Sequence, residues 1–334
     1  MRPLVSVVVP VLNVAGLLPR CLDSLLAQTY RPLEIIVVDD GSTDGSGAVM
    51  LDYAERYPDE VHVITQRHRG LGPARNAAIS IAHGEYVSMI DADDWVEPDF
   101  LEDTVAIAEE TGADVVVGGF VFHMGPLKVP FPFLPRIPML TGMEAAELSL
   151  RLTRFPSFAW NKLWRRSLFR PDDPPFPSVE YEDLATTPRI LQRAGTVAMT
   201  QKVYYHYCLR SDSITGAFSA KNVFSFAAAL DILRRDIHAN GMWDQWHPAY
   251  RRLLREARAM MGFQVIFQRN HIPVRHRLPL LLRYNRLLRK LAHAPSDGHQ
   301  LRTVRLRRSG ARSSIRRRPV SATVTVARPE TIDN

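Results

Sequence analysis

Strand-like and helix-like segments alternate at a steady pace through residues 1–117, and this alternation narrows the fold more than any other feature of the chain. Residues 4–9 are leucine, valine and one serine, the composition of a short strand buried on both faces. Pro10 and Asn13 break the run, and Leu17, Leu18, Cys21, Leu22, Leu25 and Leu26 then recur at helical spacing. Residues 34–38 read as a second strand delivering Asp39 and Asp40, and residues 41–46 carry turn and capping chemistry before a helix that runs to about residue 56. A third strand at 61–65 leads through a glycine-bearing loop at 68–73 into a helix over 74–82. A fourth strand comes at 85–90, a helix at 98–110, and another strand opens at 115–117. Repeated βαβ units predict an α/β fold with a doubly wound, mostly parallel sheet flanked by helices. Such sheets bind ligands beyond the carboxyl ends of their strands. Residues 10–13, 39–40, 68–75 and 91–94 all fall at such ends.

The fourth strand ends in a cluster of carboxylates, Asp91, Asp93 and Asp94. Like charges this close repel unless a cation sits among them. A divalent metal carrying phosphates would be such a cation, because hard cations take oxygen ligands and phosphates complete the shell. The alternative is an acidic turn with Asp93 or Asp94 as N-cap of a following helix. The chain has no phosphate loop of the GxxxxGK[ST] kind and no GxGxxG after its first strand, which counts against kinases and dinucleotide reductases. It does offer Asp40 as an acceptor for a base or ribose, Arg75 as a guanidinium fork for a diphosphate, and Asp93 as a ligand for Mg²⁺ or Mn²⁺.

Charge is divided unevenly. Residues 1–220 carry 19 lysines and arginines against 28 acids, a net of −9, whereas residues 221–334 carry 23 against 7, a net of +16. Residues 221–300 read as a helical region, and residues 301–334 as a disordered tail whose 302–318 stretch holds eight arginines and no acid. That stretch is a solvated tail, a ligand for anionic lipid, or a ligand for a polyanionic acceptor; the membrane surface is the favoured reading. No nucleic-acid recognition fold accompanies the charge, so nucleic acid is not an expected partner. No stretch of 18 uninterrupted apolar residues is present, so no membrane span is expected. The apolar N-terminal stretch is interrupted by Pro10, Asn13 and Gly16 and reads as strand and helix, not as a signal peptide. Cys21 and Cys208 lie far apart in sequence, and reduced thiols in a cytosolic setting are expected.

Five segments in order carry a resemblance to a known family: Val8-Val9-Pro10-Val11-Leu12-Asn13, residues 22–29, residues 34–44 with Asp39-Asp40-Gly41-Ser42, Gly72-Pro73-Ala74-Arg75-Asn76, and Asp91-Ala92-Asp93-Asp94. Together they resemble the family 2 inverting glycosyltransferases of GT-A fold, over about residues 4–215. The segments around Trp160-Asn161-Lys162-Leu163-Trp164 and Tyr181-Glu182-Asp183 look like the acceptor side of members that build bacterial wall and capsule polymers. The resemblance implies a GT-A domain over residues 1–220 that transfers a hexosyl or N-acetylhexosaminyl group from a nucleotide-diphosphate sugar. The acceptor would be a hydroxyl of a glycan, a polyol phosphate of teichoic type or a lipid-linked sugar. Pro10, Leu12, Asn13 and Asp40 would line the base pocket with His68 nearby, Arg75 would face the diphosphate, and Asp91 with Ala92 the ribose side. Asp93 would hold Mn²⁺ or Mg²⁺. Asp183 would be the general base, its pKa raised by repulsion from Glu182. Trp160, Lys162, Glu182 and Arg210 are candidates for the acceptor side.

Leu12 and His68 depart from the family pattern, which usually has an aromatic residue at the first and asparagine near the second; both bear on donor identity. Each site residue also has a plainer reading. Asp39 and Asp40 can cap a turn, Arg75 can be a solvated helix residue, and Glu182-Asp183 can stabilise a helix dipole. Trp160 and Trp164 lie at i, i+4 spacing, so at least one is expected in the core. Two other functions fit parts of the pattern. A nucleotidyltransferase would carry a Gly-rich basic signature after the first strand, where this chain has residues 10–13. A non-catalytic membrane-tethered binding protein would not need Asp91, Asp93 and Asp183.

Overall fold

The first two strands are buried along their whole length, β1 (Val5–Val11) and β2 (Leu33–Asp39), and their valines and isoleucines alternate between two helical layers. The computed structural model describes residues 1–125, 127–130, 139–152, 155, 157–210, 218–267 and 272–295. β1 pairs in parallel with β2 and with β4 (Tyr86–Met89), and β2 with β3 (Val61–Thr65). Helices α1 (Leu18–Leu26), α2 (Ser46–Arg56) and α3 (Leu71–Ile81) make the crossovers. Odd-numbered residues of β1 (Val5, Val7, Val9) face the layer that holds α1, while Val8, Ile36 and Val38 face the layer that holds α3.

A second parallel pair joins β6 (Val115–Met124) to β10 (Thr196–Cys208). Between the two parallel blocks lies β9 (Lys162–Arg165), antiparallel to both β4 and β6. The strand order of the ten-stranded sheet is β3-β2-β1-β4-β9-β6-β10-β5, with β5 (Trp95–Val96) antiparallel to β10. β7 (Leu127–Pro130) pairs antiparallel with β6, and β8 (Met139–Thr141) pairs with β10. The arginine-rich 302–318 stretch lies outside the described residues.

On the outer faces lie α4 (Phe100–Thr111), α5 (Gly142–Ser149) and α6 (Glu182–Leu191), and then α7 (Ala220–Ala239), α8 (Trp243–Phe267) and α9 (Val274–Leu291). Among the described residues, the region read as helical holds these three helices. Their buried residues Phe226, Leu230, Trp246, Tyr250 and Tyr284 join the same apolar cluster as Ala74, Val87 and Trp164. The compact unit spans residues Met1–Ser296. Among the described residues no helix is long and apolar enough to cross a membrane.

Candidate active site

The loops after β1 and β2 are stapled to each other by their own polar side chains. Asn13 adopts a left-handed backbone (φ +53°), and its Oδ1 accepts from the Thr43 N–H at 2.8 Å. The Asn13 N–H donates to Ser42 Oγ at 3.1 Å, and Asp44 Oδ2 accepts from the Ala15 N–H at 2.9 Å. Asp39 accepts from the Ser42 N–H at 2.8 Å, which is the turn-capping role. Gly41 sits at φ +83°, and a Cβ there would lie 2.9 Å from the His68 backbone nitrogen, so only glycine lets the two loops close.

Asp40 is 3% exposed and accepts four hydrogen bonds within this chain. Gln66 Nε2 and the Arg69 N–H donate to Oδ1 at 2.7 and 2.8 Å, and the Gly70 N–H and His68 Nδ1 meet Oδ2, both at 2.8 Å. The expected free acceptor for a base is thus occupied in this structure, because the loop before α3 folds over it. Pro10 lies buried inside β1, opposite Val38, and is strand rather than pocket wall. Leu12 (39% exposed), Asn13 and His68 are the accessible members of the expected base pocket.

At the end of β4 the three carboxylates go different ways. The structure corrects the capping role expected of Asp94: the next element is the strand β5, and α4 begins only at Phe100 with Asp99 before it. Asp94 is buried, accepting from Tyr205 Oη at 2.6 Å and from the Cys208 N–H at 2.7 Å. Burial, with Asp93 and Asp91 beside it, pushes its carboxyl well up. Tyr205 Oη also accepts the Asp91 N–H at 3.2 Å, so β10 holds the cluster in place. Asp93 stays partly open beside Arg210, with Nη1 3.3 Å from Oδ2, while Arg20 donates to the Asp93 carbonyl at 2.7 Å. Burial and then Asp91 raise the Asp93 carboxyl to about 6, against the pull of Arg210.

Arg75 joins this cluster to the pair at α6. Its guanidinium is 1% exposed and donates through Nη2 to Asp91 Oδ1 at 2.6 Å and through Nη1 to Glu182 Oε1. Burial works against its charge, but Asp91 and Glu182 outweigh it and hold the arginine protonated. The expected open diphosphate contact is therefore a buried clamp between two segments 91 residues apart in sequence. Gly72 makes the approach possible, since a Cβ there would overlap the Pro177 carbonyl. Asn76 fixes it with a reciprocal pair to Phe176: Asn76 Nδ2 donates to the Phe176 carbonyl at 2.7 Å, and the Phe176 N–H donates to Asn76 Oδ1 at 3.1 Å. Tyr181, in a left-handed conformation (φ +62°), turns the chain into α6 so that Glu182 enters the interior while Asp183 remains partly exposed. Burial raises the Asp183 carboxyl, and Arg75 and the Leu184 N–H hold it back. Burial, rather than repulsion from Glu182, is the leading cause, because Glu182 is matched by Arg75.

Residues 6–161 match the family model described as glycosyl transferase family 2. The chain is 33% identical to the putative glycosyltransferase EpsH of Bacillus subtilis over 68% of this chain and 67% of EpsH. It belongs to glycosyltransferase family 2. To the uncharacterized glycosyltransferase EpsJ of the same organism it is 37% identical over 51% of this chain, and it spans about half the length of that relative, 50%. Two solved structures share the fold at low identity. Staphylococcus aureus TarS 1–349 in complex with UDP-GlcNAc has a TM-score of 0.55 at 20% identity, covering 86% of this chain and 90% of that one. A mannosyltransferase of Pyrobaculum calidifontis in complex with GDP-Man and Mn²⁺ has a TM-score of 0.51 at 21% identity, covering 87% and 85%.

In this family 2 chain the residues expected on the acceptor side are mostly interior. Trp164 is core, and Trp160 (3% exposed) is stacked between Tyr205 at 4.2 Å and Phe158 at 4.7 Å, so neither offers a face to a sugar. Lys162 is fully buried, its Nζ donating to the Phe158 carbonyl at 2.5 Å and to Asn161 Oδ1 at 2.8 Å. Burial lowers its pKa to about 7, and Asp183 opposes the shift. Glu182 is clamped by Arg75, and Arg210 alone of this group stands at the open cluster. Sequence reasoning missed a chain of side chains beside it. Glu97 Oε1 meets His206 Nε2 at 2.8 Å, and His206 Nδ1 meets His123 Nε2 at 2.8 Å, under Trp95 stacked 3.4 Å from His206. These three polar residues are 26 to 109 positions apart in sequence, and no local pattern marks them.

Proposed function

We propose that this chain is a metal-assisted, inverting glycosyltransferase that moves a sugar from a nucleotide-diphosphate donor to a hydroxyl of a surface polysaccharide, teichoic-type polymer or lipid-linked acceptor. The observation that carries the proposal is the Arg75 clamp. It ties the end of β4, with Asp93, to the start of α6, with Asp183, which supports reading the proposed metal ligand and the proposed base as parts of one site. The donors seen with the two fold neighbours, UDP-GlcNAc and GDP-Man, are of the proposed class.

Asp183 takes the acceptor hydroxyl proton as the oxygen attacks the anomeric carbon, and the sugar–phosphate bond breaks with its electron pair leaving on the diphosphate. A base raised by burial and still partly exposed suits that step. Leu12, Asn13 and His68 lie on the nucleoside side, and Asp91 and Ala92 border the ribose. Arg210 faces the diphosphate. Among the described residues no group of three or more His, Cys, Asp or Glu forms a metal site. The open, repelled Asp93 carboxylate fits a Mg²⁺ or Mn²⁺ ion that takes its other ligands from phosphate and water. Such an ion would neutralise the departing diphosphate.

The proposal places the enzyme in the cytoplasm, at the inner face of the membrane. Sugar transfer and donor hydrolysis by Asp183→Asn are expected to fall about 10²- to 10⁴-fold with donor affinity unchanged. Asp93→Asn is expected to lose the stabilisation by donor plus Mn²⁺ in a thermal-shift screen of nucleotide-sugars. Wild-type turnover by Asp183→Asn would falsify its assignment as the base.

A further inference from the structure

The last two helices leave six large apolar side chains in solvent. On α8, Phe263, Ile266 and Phe267 are 59%, 46% and 71% exposed; on α9, Val274, Leu278 and Leu282 are 78%, 66% and 60% exposed. Each set keeps helical spacing and so forms a stripe, i, i+3, i+4 on one helix and i, i+4, i+8 on the other. Neither stripe is the face by which its helix packs. α8 buries Met261 and Val265, and α9 buries Leu280, Tyr284, Leu288 and Leu291. The helix ends that carry the stripes are neighbours, because Arg277 at the start of α9 donates to the Ile266 carbonyl at the end of α8 at 2.7 Å.

The charge around them is of one sign. From Ala259 to Phe267 there is no charged residue, and α9 carries Arg275, Arg277, Arg283, Arg286, Arg289 and Lys290 with no acid. All of these except Arg277 are exposed. Apolar side chains beside arginines whose stems cover apolar surface while their heads reach outward describe a helix lying in the plane of a membrane interface.

We infer that the exposed apolar stripes of α8 and α9 insert into an anionic bilayer, with the arginines of α9 against lipid phosphates. Charge selects this occupant over the alternatives. A second copy docked face to face would set the same basic rows against each other, since a two-fold interface is self-complementary. The chain's own C-terminal stretch 302–318 adds eight arginines and no acid, so it too is repelled. An anionic leaflet attracts the rim and buries the stripe. The inference deepens the membrane placement proposed above and rests on it, but moves the anchor from the tail to the helices.

The test is co-sedimentation of the full chain with vesicles of phosphatidylcholine and phosphatidylglycerol, and with vesicles of phosphatidylcholine alone. Wild type is expected to bind the anionic vesicles, and the triple variant Phe267→Ser, Leu278→Ser, Leu282→Ser at least tenfold more weakly with its melting temperature kept. A chain ending at residue 300 is expected to retain most of the binding. Equal binding by the triple variant and wild type overturns the inference, as does binding lost wholly with the tail. A dimer in light scattering that the triple variant abolishes also overturns it, in favour of a second copy. Donor hydrolysis by the triple variant separates the two proposals: unchanged hydrolysis with lost binding supports the anchor, and hydrolysis absent from wild type sinks the enzymatic reading alone.

Discussion

The two sides of the candidate site use carboxylates in opposite ways. On the β1–β2 side, Asp39, Asp40 and Asp44 accept backbone N–H groups and small side chains. Of the three, Asp44 is lowered, first by Ser46 and then by the Ala15 N–H. On the β4–α6 side, Asp91, Asp93, Glu182 and Asp183 are packed together, and burial raises Asp93 and Asp183. The first side spends its acids on building loops. The second buries them together, with Arg75 shared between Asp91 and Glu182 and Arg210 beside Asp93. Carboxyls raised by burial are a better pointer to a candidate site than acid content is.

The sharpest way to break this contrast is to remove the clamp. Arg75→Met leaves the buried Glu182 and the half-buried Asp91 without their partner, and truncating one member of a buried pair costs about 3–5 kcal/mol. Urea denaturation at pH 7 measures it. Arg75→Lys, with charge but no fork, is expected to fall between wild type and methionine. A loss below about 1 kcal/mol for methionine would mean that the segment at 176–183 is held by Gly72 and Asn76 alone.

The contrasting change on the other side is Asp40→Asn, which turns one of the two oxygens into an amide nitrogen and sets it against two of the four donors, either Gln66 and the Arg69 N–H or His68 and the Gly70 N–H. A loss of about 1–3 kcal/mol is expected from leaving buried donors unpaired. Hydrogen exchange should show faster exchange at the Arg69 or the Gly70 amide, with the Tyr205-to-Asp94 network untouched. Unchanged protection at those two amides would show that the loop does not depend on Asp40.

The parallel half of the fold was legible because its signals are local. β-branched runs, their spacing, and Gly41 between two loops report neighbours within a few dozen residues. The family pattern named Asp91, Asp93, Arg75 and Asp183 together as candidates, but the partners that the structure gives them were not legible. Arg75 looks the same in sequence whether it faces water, phosphate or Glu182, and only the close packing at Gly72 decides. The same holds for Asp94, which reads as a helix cap until β10 brings Tyr205 to it from 111 residues away. β9 was the chief gap in the fold: an antiparallel strand between two parallel blocks is set by long-range pairing of Lys162–Arg165, not by its own composition.

Lys162 offers the smallest and most selective probe, because it is a cation on the side where carboxylates are buried together. It is fully buried, and burial lowers its pKa to about 7, against an unfolded value near 10.5. Between those values the unfolded chain binds a proton that the native chain does not, so this residue makes stability rise with pH from 7 toward 10. The slope from one such group approaches about 1.4 kcal/mol per pH unit. Lys162→Met removes the group at similar length, so the stability-versus-pH curve of the variant should be flatter above pH 7, with its largest gain over wild type at or below neutrality. Denaturation series at pH 7, 8 and 9 measure the difference. Parallel slopes would show that Lys162 keeps its proton in the native state, held by Asn161, the Phe158 carbonyl and the field of Asp183. Asp183 would then titrate beside a standing positive charge, and its readiness to accept a proton would have to come from burial against that charge.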